Sequence, residues 1–291
     1  MLPRITIVTP SFNQAAFLER TLLSVLSQGY PGLEYVVVDG GSTDGSVEII
    51  RKYELALAWW VSEKDHGQAD AIAKGFQRAT GDILCWLNSD DLLLPGALET
   101  VGRYFASHPG HDVVNGGSYM IDENDEPCWR FRFAMATLGV AASYRRFVCY
   151  GQDGVFQQST FWRRRAYEAA GPVDQSLHFA MDRDLFTRLA RCRAFGVVPT
   201  MLSCFRLHSE CKSERLDHVR LREEKILLQR YGPSVGAPFQ RRLWWSLYRC
   251  QSVARKALLY GAIRTGLVRL PPAAWWPGNS CESFTSSTTS I

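Results

Sequence analysis

Three times in the first 91 residues, a run of β-branched and apolar side chains stops at a polar or acidic residue and opens into a loop. The loops are Thr9-Pro10-Ser11-Phe12-Asn13, Asp39-Gly40-Gly41-Ser42-Thr43-Asp44-Gly45 and Asn88-Ser89-Asp90-Asp91. Helical periods lie between them. Asn13 is placed to cap a helix whose apolar face is Phe17, Leu18, Leu22, Val25 and Leu26. Ile5–Thr9, Tyr35–Val38, Leu57–Val61, Ile83–Leu87 and Asp112–Asn115 read as strands. Ser46–Tyr53, Gln68–Ala79 and a segment led by Pro95 to about Ala106 read as helices. This alternation predicts an α/β fold, a mostly parallel twisted sheet with helices on both faces. Ligands of such sheets bind outside the carboxyl ends of the strands, so the three loops are expected to meet at one crevice.

Each loop has chemistry of its own. Gly40 and Gly41 let backbone come close to a ligand, and Ser42 to Ser46 lead into a helix N-terminus that favours anions; an ordinary capped turn would look the same. The spacing is not that of a dinucleotide fingerprint or a phosphate-binding Gly-Lys-Ser loop. Asp90 and Asp91, where a strand leaves the core, suit a Mg²⁺ or Mn²⁺ shared with a diphosphate. The competing structural role is a helix cap ahead of Pro95, with Asp91 as the residue suited to it.

Taken in order, Thr-Pro-Ser-Phe-Asn, Val-Val-Val-Asp-Gly-Gly-Ser-Thr-Asp-Gly, Asp-His-Gly-Gln-Ala-Asp-Ala-Ile-Ala-Lys-Gly, Ala-Thr-Gly-Asp-Ile and Trp-Leu-Asn-Ser-Asp-Asp resemble family 2 of the inverting glycosyltransferases, which share the GT-A fold. The resemblance spans residues 4 to about 208 and implies a nucleotide-diphosphate-sugar donor, UDP-linked above others, with a divalent metal. It matches Thr9, Pro10, Phe12 and Asn13 to the loop that packs on the nucleotide. It matches Asp39 to the acid that recognises base or ribose, and Asp65 and Gly67 to the segment closing over the base. Asn88-Ser89-Asp90 matches the Asp-x-Asp motif, which makes Asp90 the metal ligand and sets Asn88 and Ser89 on the donor side. Two departures stand out: Asn88 replaces the first acid, and Ala73 stands where the family has Asn. Met181-Asp182-Arg183-Asp184 resembles the Glu-Asp-x-Asp segment with Met181 in place of the Glu, which implies that Asp182 is the catalytic base. Without the resemblance, Asp182 and Asp184 are acids suited to a helix N-terminus, and Arg188 is spaced to pair with Asp184. Arg206-Leu207-His208 resembles an Arg-x-His near the end of such domains and implies His208 near the metal.

Residues 1–210 are therefore expected to form the catalytic domain, 211–277 a helical basic region and 278–291 a Ser/Thr-rich disordered tail. Further helices are expected at Arg164–Ala169 and Met181–Cys192, with a strand at Gly196–Leu202. Trp59, Trp60 and Trp86 read as core. The aromatic-basic run from Trp129 to Phe133 suits an acceptor groove or a packed surface loop. Nine Lys and Arg lie from Lys225 onward against one acid, Glu282, so this stretch carries +8 and the preceding body −4. Projected as a helix, 241–269 segregates an uncharged stripe from Arg242, Arg249 and Lys256, the pattern of an interfacial helix on an anionic membrane surface or of a helix packed on the body. Eight scattered cysteines without a Cys-x-x-Cys pair read as reduced thiols. Together with the lack of a spanning apolar run, they suggest a cytoplasmic protein, peripheral at the inner face of the cell membrane. The expected acceptor is a glycan or lipid-linked hydroxyl, with no nucleic acid partner. Two alternatives remain open: a sugar nucleotidyltransferase, which Thr9–Gln14 disfavours by holding no cation, and a non-catalytic nucleotide-sugar-binding protein.

Overall fold

The computed structural model describes residues 2–126, 155–192, 195–212 and 216–231. Along the chain these form β1 (Ile5–Ser11), α1 (Ala15–Leu26), β2 (Leu33–Asp39), α2 (Ser46–Lys52), β3 (Trp59–Ser62), α3 (Gln68–Arg78), β4 (Ile83–Trp86) and β5 (Leu92–Leu93). Then follow α4 (Ala97–Ser107), β6 (Val113–Ile121), β7 (Thr160–Arg163), α5 (Arg164–Ala170), α6 (Met181–Cys192), β8 (Phe195–Arg206) and α7 (Asp217–Tyr231).

One eight-stranded sheet runs β3-β2-β1-β4-β7-β6-β8-β5. β1 to β4 are mutually parallel, β7 is antiparallel to both of its neighbours, and β6 pairs parallel with β8. The sheet is thus mixed and mostly parallel, as expected. Alternation along the strands feeds two cores. Ile5, Ile7, Tyr35 and Val37 pack with Leu18, Leu22, Leu98 and Phe105 beneath α1 and α4. Val8, Val36, Val38 and Trp86 pack with Ile72, Phe76, Leu185 and Phe186 beneath α3 and α6. Trp86 and Phe186 stack at 6.0 Å, Trp162 meets both edge-on, and each such buried aromatic contributes roughly 1.5–3 kcal/mol.

Several elements differ from expectation. β1 and β2 run on to Ser11 and Asp39, and their parallel register puts Ser11, Asp39 and Ser62 on one rung at the carboxyl edge. Asn13 does not cap α1. It takes a left-handed φ of 51°, Gln14 holds the cap position without a side-chain bond, and Asp44 of the next loop accepts the Ala15 N–H at 2.8 Å. Pro95 precedes α4 instead of sitting in its first turn, with Gly96 at the cap. Asp91 caps nothing there: it is fully buried and accepts the Arg206 N–H at 3.0 Å. β8 is far longer than Gly196–Leu202 and carries Arg206 back to the loop after β4. α7 joins the same body, with Leu227 in the α3–α6 core. The Trp129–Phe133 run, the 241–269 segment and the 278–291 tail lie outside the described residues. Among the described residues, no helix is long and apolar enough to cross a membrane.

Candidate functional site

The parallel strands β1, β2 and β4 end side by side, and the three loops do meet. The first two are laced together reciprocally. Asn13 accepts the Thr43 N–H with Oδ1 at 3.0 Å, while Ser42 Oγ accepts the Asn13 N–H at 2.8 Å and Ser46 Oγ accepts the Gln14 N–H at 3.1 Å. Asp39 organises this lattice from the floor. Wholly buried, it accepts the N–H groups of Gly41 and Ser42 and the hydroxyls of Ser42 and Ser62. Phe12 is left 59% exposed on top, a large aromatic face beside the crevice. Thr9 is placed differently: it is fully buried and its hydroxyl meets Tyr35 at 3.0 Å. Pro10 is likewise a buried strand residue.

Asp65 accepts the Gly67 N–H at 2.8 Å and lies against Gly40, where a Cβ would come within 2.8 Å of the carboxylate. A side chain at this position would displace the Asp65 carboxylate from its place against the loop after β2. Gly67 has φ 109° and starts α3. Ala73 is buried within α3, inside the core.

Asn88 Oδ1 accepts Gln68 Nε2 at 2.7 Å, and its Nδ2 donates to Asp91 at 3.3 Å. Ser89 is buried and gives its carbonyl to the Thr21 hydroxyl. Asp91 is tied down by Arg206 and Asn88; burial raises its pKa well above the ordinary range, and the charge of Asp90 adds to that. Asp90 is thereby the acid left facing the crevice, with Oδ2 3.1 Å from His208 Nε2. Arg206, fully buried, donates to the Asp90 carbonyl at 2.8 Å and pairs with Asp125. Cys211 closes the following turn, its sulfur accepting the His208 N–H and donating to the Arg206 carbonyl. Asp90, His208 and Cys211 offer ligand atoms within 4.8 Å of one another. A carboxylate oxygen and an imidazole nitrogen 3.1 Å apart match the roughly 3 Å edge of an octahedron with bonds near 2.1 Å, so the donor set fits a Mg²⁺ or Mn²⁺ ion.

Asp182 stands in the first turn of α6. Asp184 is buried and structural: it pairs with Arg188 at 2.7 Å and accepts the Tyr231 hydroxyl at 2.6 Å. The sequence reading overlooked two residues here. Glu223, on α7, accepts the N–H groups of His178, Phe179 and Ala180 just ahead of α6. Lys212 donates to Gln68 Oε1 at 2.7 Å, and its ammonium feels the charges of Asp90, Glu223, Asp182 and Asp65 together. Lys212 thus joins the start of α3 to the segment ahead of α6, since it also donates to the His178 carbonyl at 3.3 Å. Nothing in local sequence flags Glu223; Lys212 could have been noticed as a cation four residues after His208.

The family model described as "Glycosyl transferase family 2" matches residues 6–171. An uncharacterized glycosyltransferase of Mycobacterium tuberculosis (strain H37Rv) is 42% identical over 197 residues, covering 65% of this chain and 69% of that protein. A PGL/p-HBAD biosynthesis glycosyltransferase of Mycobacterium bovis (strain BCG) is 30% identical over 190 residues, covering 64% and 69%. Among solved structures, mannosyltransferase PcManGT from Pyrobaculum calidifontis, in complex with GDP-Man and Mn²⁺, superposes with a TM-score of 0.61 at 20% identity, covering 94% of this chain and 78% of its own. TarS from S. aureus in complex with UDP gives 0.60 at 16% identity, covering 79% and 67%.

Proposed function

Because the chain belongs to glycosyl transferase family 2, and is a glycosyltransferase of GT-A fold, we propose that it moves a sugar, with inversion, from a nucleotide-diphosphate donor to a hydroxyl of a glycan or lipid-linked acceptor. UDP is the first nucleotide to test and GDP the second, after the ligands of the structural relatives. The family assignment sets the nucleotidyltransferase alternative aside.

The observation that carries the reading is the run of bonds from Asn88 through Gln68 and Lys212 to the His178 carbonyl, which joins the loop after β4 to the start of α3 and the segment ahead of α6, with Asp90 set against His208 beside it. On this reading Phe12 stacks on the base, and Asp65 with Gly67 closes over it. Asp39 and Asn13 act by holding that loop pair in shape, and Asn88 and Ser89 form the donor-side wall. Asp90 and His208 would hold the divalent ion, which supplies positive charge to the leaving diphosphate. Asp182 takes the proton of the acceptor hydroxyl as its oxygen attacks C1 from the face opposite the diphosphate; the products are a glycoside of inverted configuration and a nucleoside diphosphate. The basic 241–269 segment, on the same reading, holds the enzyme peripherally on an anionic membrane surface where a lipid-linked acceptor resides.

The deciding experiment incubates the full chain with UDP- and GDP-sugars and Mn²⁺ and follows nucleoside diphosphate release. Release from at least one donor is expected. No release and no nucleotide binding across the panel would refute the donor assignment.

A further inference from the structure

Among the described residues, the Lys212 ammonium bonds to neutral groups alone. Two neutral acceptors aim it: Gln68 Oε1 at 2.7 Å and the His178 carbonyl at 3.3 Å. Gln68 is itself fixed from its other end by Asn88 at 2.7 Å, so Lys212, Gln68 and Asn88 form one chain of bonds across the crevice. No carboxylate among the described residues forms an ion pair with Lys212, although Asp90, Glu223, Asp182 and Asp65 act on it from farther away. The side chain is open to solvent, yet enough protein surrounds it that desolvation lowers its pKa against the pull of those four acids. An ammonium in this position favours an anion that arrives and leaves.

The departure at Asn88 belongs to the same arrangement. A carboxylate at position 68 would bind the ammonium as an ion pair and cancel it, and Asn88 acts on Lys212 only through Gln68, whose amide it orients. The amides orient the charge and leave it available. We propose that Lys212 is the fixed cation that binds the donor's diphosphate, in addition to the divalent ion that Asp90 and His208 would hold, and that it gives diphosphate binding a part independent of metal. The inference rests on the donor reading above and adds a residue to it. As the glycosidic bond to the diphosphate oxygen breaks, the electron pair stays on that oxygen, and Lys212 stabilises the charge that develops there.

The test is calorimetry on the full chain with UDP, GDP and dTDP, in Mn²⁺ and in EDTA, alongside the corresponding nucleosides. Lys212→Gln keeps a donor for Gln68 without the charge. It should weaken the tightest diphosphate roughly ten- to a hundredfold and leave the nucleoside unaffected. Lys212→Arg should recover most of the affinity. Wild type should retain binding in EDTA that Lys212→Gln loses. Undiminished diphosphate affinity in Lys212→Gln overturns this inference alone. So does an equal loss for nucleoside and diphosphate, which would mark Lys212 as a scaffold residue. Wild type that binds none of the three diphosphates in either buffer overturns the donor reading and this inference with it.

Discussion

The carboxylate of Glu223 accepts the N–H of Phe179 at 2.9 Å across 44 residues of chain. The same carboxylate holds the N–H groups of His178 and Ala180 at 2.8 Å, so a side chain from α7 fills the place of an N-cap for α6, whose first turn carries Asp182. Glu223 is thus a positioning residue for the proposed base. Glu223→Ala should cost about 1–3 kcal/mol of stability for the buried N–H groups it orphans. Glu223→Gln should lower kcat while nucleoside diphosphate affinity holds. In the Asp182→Asn background, Glu223→Gln should add no further loss; an additive loss in that double variant would mean that Glu223 does not act through Asp182.

Replacing Asp182 by Asn keeps the volume and removes the proton acceptor. The transfer rate should fall about 10²–10⁴-fold with donor affinity unchanged. Transfer at the wild-type rate would assign the base elsewhere.

Asp90→Ala and chelation should each weaken nucleoside diphosphate binding, because both remove the divalent ion's charge from the crevice. The two effects should overlap, so EDTA should change little in the variant. Calorimetric affinity insensitive to both would remove the metal from the proposed mechanism.

At the opposite edge of the sheet, burial pushes the pKa of Glu34 up. Bonds from Thr6 and Thr80 and the charge of Arg4 outweigh it, so the net value lies below the ordinary 4.5. A lowered folded value stabilises the protein above the ordinary one, and this contribution is lost as pH falls through the folded value. Glu34→Gln should melt lower than wild type at pH 7, and the two curves should converge as pH falls through the lowered folded value. Parallel curves over that whole range would show that Glu34 does not set the acid limb.

The full chain should co-sediment with anionic liposomes at low salt, and a chain ending at residue 238 should not. Each surface-apposed cation contributes about 1 kcal/mol, so several of the seven in 241–269 would suffice. Equal pelleting of both chains, or of neither, removes the membrane role from 241–269.

The strand-end loops were legible because parallel β-strands carry an uninterrupted apolar signal and break where backbone leaves the core. Met181–Cys192 was legible to the residue from its period and acidic start. What stayed hidden depended on contacts between distant segments. The α1 cap comes from Asp44 and not from Asn13, because a left-handed Asn13 turns its amide toward Thr43. Asp90 and Asp91 look alike in sequence, and only the return of β8 with Arg206 separates a buried structural acid from a crevice-facing one. Thr9 belongs to the motif by spacing, but its strand position turns the hydroxyl inward to Tyr35. Glu223 and Lys212 escaped for the same reason: each works on a segment dozens of residues away.

The lacing of Asn13, Ser42, Asp44 and Ser46 between the first two loops has a thermodynamic consequence. This wall of the crevice is tied by bonds within the protein itself, so an arriving nucleotide should have little loop to order there. Recognition on that side should then be lock-and-key. Its heat-capacity change should reflect the base surface covered by Phe12 alone, and its association should be a single concentration-dependent phase, with any slower rearrangement confined to the α6 side, where the proposed base Asp182 stands.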